Sequence, residues 1–110
     1  MKVFISGPMT GIEKYNFPKF LAMEEAIRKM GWKPVNPVHI CRKYKEKDVL
    51  SSKKVFDKMI QEEMDALATC DTILLLKGWE NSKGAMAEAK KALDLGLGIM
   101  TEDGFRSIAI

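Results

Sequence analysis

Glu88 is the residue of this chain whose type and position could do chemistry most directly. At helical spacing it shares a stripe with Ala85, Ala92 and Leu95, which turns the carboxylate toward the apolar side of its helix. A carboxylate is costly to bury unless it is paired or used. Because this helix follows a strand and a loop, the position suits a nucleophile or a general base that faces a crevice. A structural role stays open, since the start of the helix or Lys91 could stabilise an acid at this place.

Glu63 is a second acid within an apolar stripe. The apolar side of its predicted helix consists of Phe56, Ile60, Met64 and Leu67. Glu63 lies three residues after Ile60 and four before Leu67, although from the edge of the stripe it could also reach solvent. Two like charges held close together shift their pKa values apart, which suits a division between acid and base. Glu63 and Glu88 therefore form a candidate catalytic pair.

Three further features could bind a ligand beside these acids. The first is a turn that consists of Gly7, Pro8, Met9, Thr10 and Gly11. It could present backbone N–H groups to a phosphate, although it matches neither a Walker loop nor a dinucleotide-binding fingerprint. The second is Ser82, which either caps the helix that follows or helps to form an anion site there. The third is Trp79, which could stack on a base or merely cover the edge of the core.

The elements that must position these residues alternate between strand and helix. Apolar runs predict strands at residues 2–6, 32–35, 72–76 and 97–100, and residues 105–110 could supply a short fifth element. Helical spacing predicts helices over residues 16–31, 51–69 and 82–95, starting at Asn16, at Ser51 or Ser52, and at Ser82. Residues 39–50 show no clear period and are predicted to form an irregular, charged loop.

This alternation predicts an α/β fold, doubly wound around a mostly parallel sheet of four or five strands, as in flavodoxin-like proteins. In such folds ligands bind beyond the carboxyl ends of the strands, where the strand order reverses. The loops that would line this crevice are residues 7–11, 37–39 and 78–84. Both acids belong to helices that flank the third strand, so the fold would bring them to the same crevice.

Composition limits the classes of protein to which the chain can belong. Its 110 residues, 46% hydrophobic and 30% charged, are typical of a single globular domain with its own core. The net charge of +3 is small, and its basic excess is confined to residues 42–47 and to Lys53 and Lys54, so we expect no nucleic-acid partner. The first residues are not typical of a signal peptide and no apolar run has membrane-spanning length, so we expect a cytoplasmic protein without a membrane partner.

The few cysteines and histidines give little support to a metal site. Cys41 and Cys70 lie 29 residues apart, which is not the spacing of metal ligands, and His39 is the single histidine. We expect Cys70, next to a predicted strand, to be a small core residue. We expect no metal and no redox cofactor.

Three stretches of the sequence together resemble a known family: SGPMTGIEKYNFPKF near the start, then VNP, then ATCDTILLLKGWENSKGAMAEAKKALDLG. They resemble a small phage and bacterial family without an assigned function. That family is similar to the nucleoside 2-deoxyribosyltransferases and the 2'-deoxynucleoside 5'-monophosphate N-glycosidases. The resemblance covers most of the chain, the long loop and the C-terminus least well, and it implies the same α/β fold.

The resemblance also implies roles for single residues. In these enzymes a glutamate in a G-x-x-x-E arrangement attacks C1' of the deoxyribose, and Gly84 and Glu88 match that pair. Six residues before the glutamate, the N-glycosidases carry a serine where the transferases carry an aspartate, so Ser82 implies a 5'-phosphorylated ligand. Glu63, eight residues before Asp71, matches an aspartate that helps to protonate or orient the base.

One departure from the family concerns the positioning of the nucleophile. Phe4 stands where the enzymes carry a tyrosine that orients the glutamate, so Glu88 would lose a hydrogen bond unless Tyr15 supplies it. A non-catalytic nucleotide-binding module therefore stays open as an alternative. So does an interaction protein that oligomerises through its methionines. The enzymes are usually homo-oligomers in which a neighbour completes the site, so a homo-oligomer is implied here.

The function that we expect is cleavage of an N-glycosidic bond, or deoxyribosyl transfer, on a 2'-deoxynucleoside or its 5'-monophosphate. Glu88 would attack C1' while Glu63 assists the departing base. Trp79 would stack on the base. The turn at residues 7–11 would hold the 5' end of the ligand together with Ser82 and the neighbouring Gly84.

Overall fold

A four-stranded, all-parallel β-sheet lies at the centre of the fold. The computed structural model describes residues 1–109, and its strands are β1 (Lys2–Ser6), β2 (Lys33–Val35), β3 (Thr72–Leu75) and β4 (Gly98–Thr101). They lie in the order β2-β1-β3-β4, with Val3 opposite Thr72 and Thr72 opposite Gly98. The chain moves first to one side of β1 and then to the other, so the strand order reverses between β1 and β3. The predicted α/β fold with a parallel sheet is confirmed.

Helices cover both faces of this sheet. In chain order they are α1 (Phe17–Lys29), α2 (Pro37–Cys41), α3 (Glu46–Ser51), α4 (Lys53–Ala68), α5 (Lys83–Asp94) and α6 (Glu102–Ile108), with short 3-10 turns at Glu13–Asn16 and Trp79–Asn81. The predicted fifth element is thus a helix rather than a strand, and residue 110 lies outside the described residues. None of the helices in residues 1–109 has the length and apolar character needed to cross a membrane.

The segment at residues 39–50 is not the irregular loop that its sequence predicts. The helix α2 extends into it, and α3 occupies its second half. Asn36 starts α2, because its side chain accepts a hydrogen bond from the N–H of Val38 at 3.0 Å, and Pro37 fits the first turn. Residues 37–39 were predicted as a loop and instead form the start of this helix, because helix caps and turns use the same residue types.

Serines begin the two helices that carry the acids. Ser52 accepts a hydrogen bond from a backbone N–H of α4, and Ser82 does the same for α5, as predicted. Asn16, the predicted cap of α1, has a left-handed φ of 61° and makes no capping bond. Its side chain donates to the carbonyl of Pro8 at 2.9 Å. Asn16 therefore ties the turn at residues 7–11 to the start of α1.

Alternate residues of β1 face opposite layers of helices. Val3 and Ile5 pack in the layer that contains α1, whereas Phe4 packs with Leu67 of α4 and Ala92 of α5. Ser6 follows Phe4 by two residues, so it shares the side of the sheet that α4 and α5 cover. It is the last residue of β1 and therefore lies at the carboxyl edge of the sheet.

Two residues that were predicted in apolar stripes lie at the surface. Leu95 is 44% exposed, because it caps the C-terminal end of α5 instead of continuing its buried side. Phe56, in the first turn of α4, is also 44% exposed. The alanines of the α5 stripe, Ala85 and Ala92, are buried as predicted.

Candidate active site

A cavity of about 530 Å³ opens beyond the carboxyl end of β1, between the turn at residues 7–11, α2, α4 and the start of α5. Its size is typical of a small-molecule site. The structure brings most of the predicted site residues to its wall: Gly7, Pro8, Met9, Glu63, Ser82, Gly84 and Glu88. The cavity lies where the strand order reverses, the place at which such sheets bind ligands.

Glu88 forms part of the inner wall of this cavity and is only 8% exposed. The hydroxyl of Ser6 donates a hydrogen bond to its Oε1 at 2.6 Å. Burial and the negative charge of Glu63 raise the pKa of Glu88 to about 8, and the hydrogen bond from Ser6 opposes that rise. Glu88 is thus a buried carboxyl with one polar donor directed at it.

Glu63 faces the same cavity from α4 and is 7% exposed. The thiol of Cys41, at the end of α2, donates to its Oε1 at 3.3 Å. Burial raises the pKa of Glu63 to about 7, and the bond from Cys41 acts in the opposite direction. Burial and the charge of Glu63 raise the pKa of Cys41 to about 12, so the thiol stays protonated and remains a donor.

The ionisation of Glu88 depends on the charge of Glu63. Because their like charges oppose simultaneous ionisation, the pair retains a proton near neutral pH. The bond from Ser6 is the shorter one and comes from the stronger donor, yet burial and the charge of Glu63 hold the pKa of Glu88, about 8, above that of Glu63, about 7, so the retained proton lies more often on Glu88. This arrangement can supply a nucleophile and a general acid at the same pH.

The start of α5 places groups that can bind an anion on one side of the cavity. Ser82 accepts a bond from the N–H of Ala85 at 3.2 Å, and its own O–H can still donate to a ligand. Lys83 lines the cavity beside the first-turn N–H groups. A Cβ on Gly84 would meet only the Ser82 hydroxyl oxygen at 4.0 Å, so the glycine leaves open space toward the cavity.

The turn at residues 7–11 faces this helix start across the cavity. A Cβ on Gly7 would lie 2.8 Å from the Cβ of Leu76, so only glycine lets the turn pass so close to the end of β3. The bond from Asn16 to the Pro8 carbonyl holds the turn from its other side. The turn is therefore held on both sides by contacts with the rest of the fold.

Trp79 is the one predicted site residue that the structure does not bring to this cavity. It packs against the cluster that contains Phe4 and lines a separate cavity of about 210 Å³ with Glu80 and Thr101. The exposed aromatic side chain that does line the cavity of the acids is Phe56. In the sequence Phe56 belongs to an apolar stripe, and such a stripe does not distinguish an exposed aromatic side chain at the start of α4 from a buried one.

The hydroxyl that contacts Glu88 comes from a residue that was not among the predicted ones. Tyr15 donates to Glu46 and is 46% exposed, so it is not the donor to Glu88. Ser6 donates the hydrogen bond instead. The available signal was the two-residue period of a strand, which puts Ser6 on the same face as Phe4 and nearer the crevice. Cys41 was missed because its helix was predicted as loop.

The fold is similar to that of two solved enzymes. A 2-deoxyribosyltransferase from Bacillus psychrosaccharolyticus superimposes with a TM-score of 0.71 at 14% sequence identity, over 92% of this chain and 71% of that chain. The CMP N-glycosidase BcmB from Clostridium botulinum gives a TM-score of 0.55 at 18% identity, over 99% of this chain and 83% of that chain. The predicted nucleoside deoxyribosyltransferase-like fold is therefore confirmed.

The sequence matches the profile of a protein family to which no function has been assigned. The profile of the domain of unknown function DUF4406 matches residues 1–101. No curated protein matches the chain. At the identities of the two solved enzymes, the structural likeness shows the fold, and the function has to be argued from the site itself.

Proposed function

We propose that this chain, which belongs to the DUF4406 family of domains of unknown function, breaks the N-glycosidic bond of a 2'-deoxynucleoside or its 5'-monophosphate. The observation that supports this most is the pair of buried carboxyl groups in one cavity, one bonded to a hydroxyl and the other to a thiol. The two similar folds belong to a 2-deoxyribosyltransferase and a CMP N-glycosidase, which favours the same bond as the target. Whether water or a second base accepts the sugar is a further choice within this proposal.

The proposed reaction divides the work between the two acids. The reactive form of the pair is the one in which Glu88 is ionised and Glu63 carries the proton. In this form Glu88 attacks C1' as the C1'–N bond breaks, and Glu63 gives its proton to the departing base. The product of this step is a glycosyl ester on Glu88 and a carboxylate on Glu63. Glu63 then takes a proton from water, or from an incoming base, as that acceptor attacks C1' and releases Glu88.

The two ends of the ligand would be held by different walls of the cavity. We propose that a 5'-phosphate binds at the start of α5, where Ser82, Lys83 and free N–H groups face the turn at residues 7–11. We propose that the base lies against Phe56, the exposed aromatic side chain of the opposite wall. Trp79 has no part in this proposal because it lines another cavity.

The direct test is release of free base. The protein is incubated with the four common 2'-deoxynucleoside 5'-monophosphates and with the corresponding nucleosides, and free base is measured by chromatography. We expect release by the wild type and a loss of more than about 10³-fold in Glu88→Gln, as for other catalytic nucleophiles. Glu80→Gln is the control, because it removes an exposed acid that lines the other cavity.

A second measurement addresses the covalent step. Acid quenching during turnover, followed by intact-mass analysis, should reveal a deoxyribosyl or deoxyribosyl-phosphate adduct on the wild type and none on Glu88→Gln. If the wild type and Glu88→Gln are equally inert on every substrate, the catalytic proposal is wrong. A ligand-induced rise in melting temperature without base release would then indicate a binding module.

A further inference from the structure

Cys41 lies in the cavity in direct contact with one of the two acids. Its thiol donates to Glu63 Oε1 at 3.3 Å, and its side chain lines the cavity wall. Within residues 1–109 this is the side-chain hydrogen bond that the carboxyl of Glu63 receives. Cys41 ends α2 while Glu63 lies in α4, so the contact also joins the two helices on this side of the cavity.

We propose that Cys41 is a positioning residue, whose thiol holds the carboxyl of Glu63 in the orientation from which it protonates the departing base. The inference rests on the proposed function. Cys41 does not touch the reacting atoms in this scheme. It acts through Glu63, as Ser6 acts through Glu88.

The chemistry of the thiol explains why this residue type fits the position. A lysine or arginine here would keep Glu63 ionised and remove the general acid, whereas an alkyl side chain would leave a buried carboxyl without a partner. A thiol is a weak donor and a weak acceptor, so it can accompany the carboxyl through both of its protonation states. Its raised pKa also argues against a role as nucleophile or redox centre, because the reactive form is the thiolate.

The other charged groups near this contact belong to α5. Glu88 faces it from α5, and its charge adds to that of Glu63 in raising the pKa of Cys41. Lys83 lines the same cavity from the start of α5. Glu88 receives the stronger O–H donor and Glu63 the weaker S–H donor, which is the order expected if Glu88 must ionise and Glu63 must keep its proton.

The first test compares Cys41→Ala, which removes the donor, with Cys41→Ser, which keeps one. We expect Cys41→Ala to lower kcat about tenfold with KM changed by no more than about twofold, the size of effect of one hydrogen bond to a carboxyl. The alkaline limb of the kcat profile should move to higher pH, because the lost bond lowered the pKa of Glu63. Cys41→Ser should restore both. Circular dichroism and thermal unfolding establish that each variant is folded.

The second test needs no turnover, so it separates this inference from the proposed function. Alkylation of Cys41 by iodoacetamide is followed by peptide mass spectrometry at about pH 9, with buried Cys70 as the internal control. Glu63→Gln removes the charge beside the thiol, so alkylation of Cys41 should accelerate about tenfold while that of Cys70 stays the same.

The outcomes decide between the two claims. If the alkylation of Cys41 does not respond to Glu63→Gln, the contact is absent and the inference is overturned. If it responds but Cys41→Ala retains the kcat and pH profile of the wild type, the contact exists and the positioning role is overturned. If the wild type releases no base, the proposed function fails, and the alkylation rates still confirm or refute the contact.

Discussion

Replacing Glu88 by glutamine should stabilise the folded protein, and the gain should grow with pH. Burial and the charge of Glu63 raise the pKa of Glu88 to about 8 in the folded state. The unfolded chain releases this proton near its ordinary pKa of about 4.3. Between these two values the folded state therefore binds more protons than the unfolded state, so the free energy of unfolding falls as pH rises. Glutamine has the same shape, can accept the bond from Ser6, and carries no charge to bury.

The size of this effect follows from the pKa difference. One proton taken up on folding changes the free energy of unfolding by about 1.4 kcal/mol per pH unit. From about pH 5 to about pH 8 the advantage of Glu88→Gln over the wild type should therefore grow by about 4 kcal/mol. A domain of this size has a total stability of about 5–15 kcal/mol, so the change is large enough to measure. Glu63 retains its raised pKa in the variant, so a shallower decline should persist to about pH 7.

Urea unfolding at a series of pH values, with m-values compared between variants, measures this directly. Glu25→Gln is the matched control, since it removes an exposed acid from α1 and leaves the cavity unchanged. The control should follow the wild type at every pH. Parallel curves for wild type and Glu88→Gln would refute the reasoning, because Glu88 would then have the same proton affinity in the folded and unfolded states.

Three further changes test separate parts of the site. Ser6→Ala should lower kcat/KM near pH 7 about tenfold and move the acid limb of the pH profile to higher pH, since the bond from Ser6 lowers the pKa of Glu88; an unchanged acid limb would contradict this role. Ser82→Asp should lower kcat/KM for 5'-monophosphates and leave kcat/KM for free nucleosides largely intact, because a carboxylate repels a phosphate. Equal losses of kcat/KM on both substrates would argue against a phosphate site at the start of α5. Phe56→Leu should raise KM by about tenfold with little change in kcat, the effect of losing one aromatic stacking surface, whereas Trp79→Leu should leave KM unchanged.

The elements and the two acids could be predicted because each carries a local signal. The strands are short apolar runs, and the acids break an apolar stripe of helical period, so their approach to one crevice follows from the parallel α/β order. What could not be predicted depends on contacts between distant parts of the chain. Cys41 reaches Glu63 across 22 residues, and Ser6 reaches Glu88 across 82. The contact of Cys41 leaves no pattern in the sequence, and the strand period shows only which side of the sheet Ser6 faces.

The wrong predictions concern residues whose local pattern is compatible with more than one structure. Phe56 and Leu95 fit the helical period of their apolar stripes. The period does not show which residues near the end of a helix lie at the protein surface. Residues 37–39 were predicted as a loop and form the start of a helix, because an Asx side chain such as that of Asn36 can close a turn or cap a helix. Trp79 follows the third strand as predicted, yet its side chain packs against the cluster that contains Phe4 and lines the cavity beside Thr101 of β4.

The resemblance implies a tyrosine at position 4, where this chain has Phe4, but Ser6 also brings a hydroxyl to Glu88, because a strand offers a second position from which to deliver it. Residues two apart on a strand face the same side and lie about 6.6 Å apart along it, roughly the reach of a tyrosine side chain. A tyrosine hydroxyl at position 4 and a serine hydroxyl at position 6 can therefore approach the same carboxyl. Here Phe4 keeps the apolar ring in the core, and Ser6 contacts Glu88 at 2.6 Å. It follows that Phe4→Tyr should not restore a missing function. The added hydroxyl would enter a core that leaves Phe4 0% exposed, so this variant should lose stability without gaining rate.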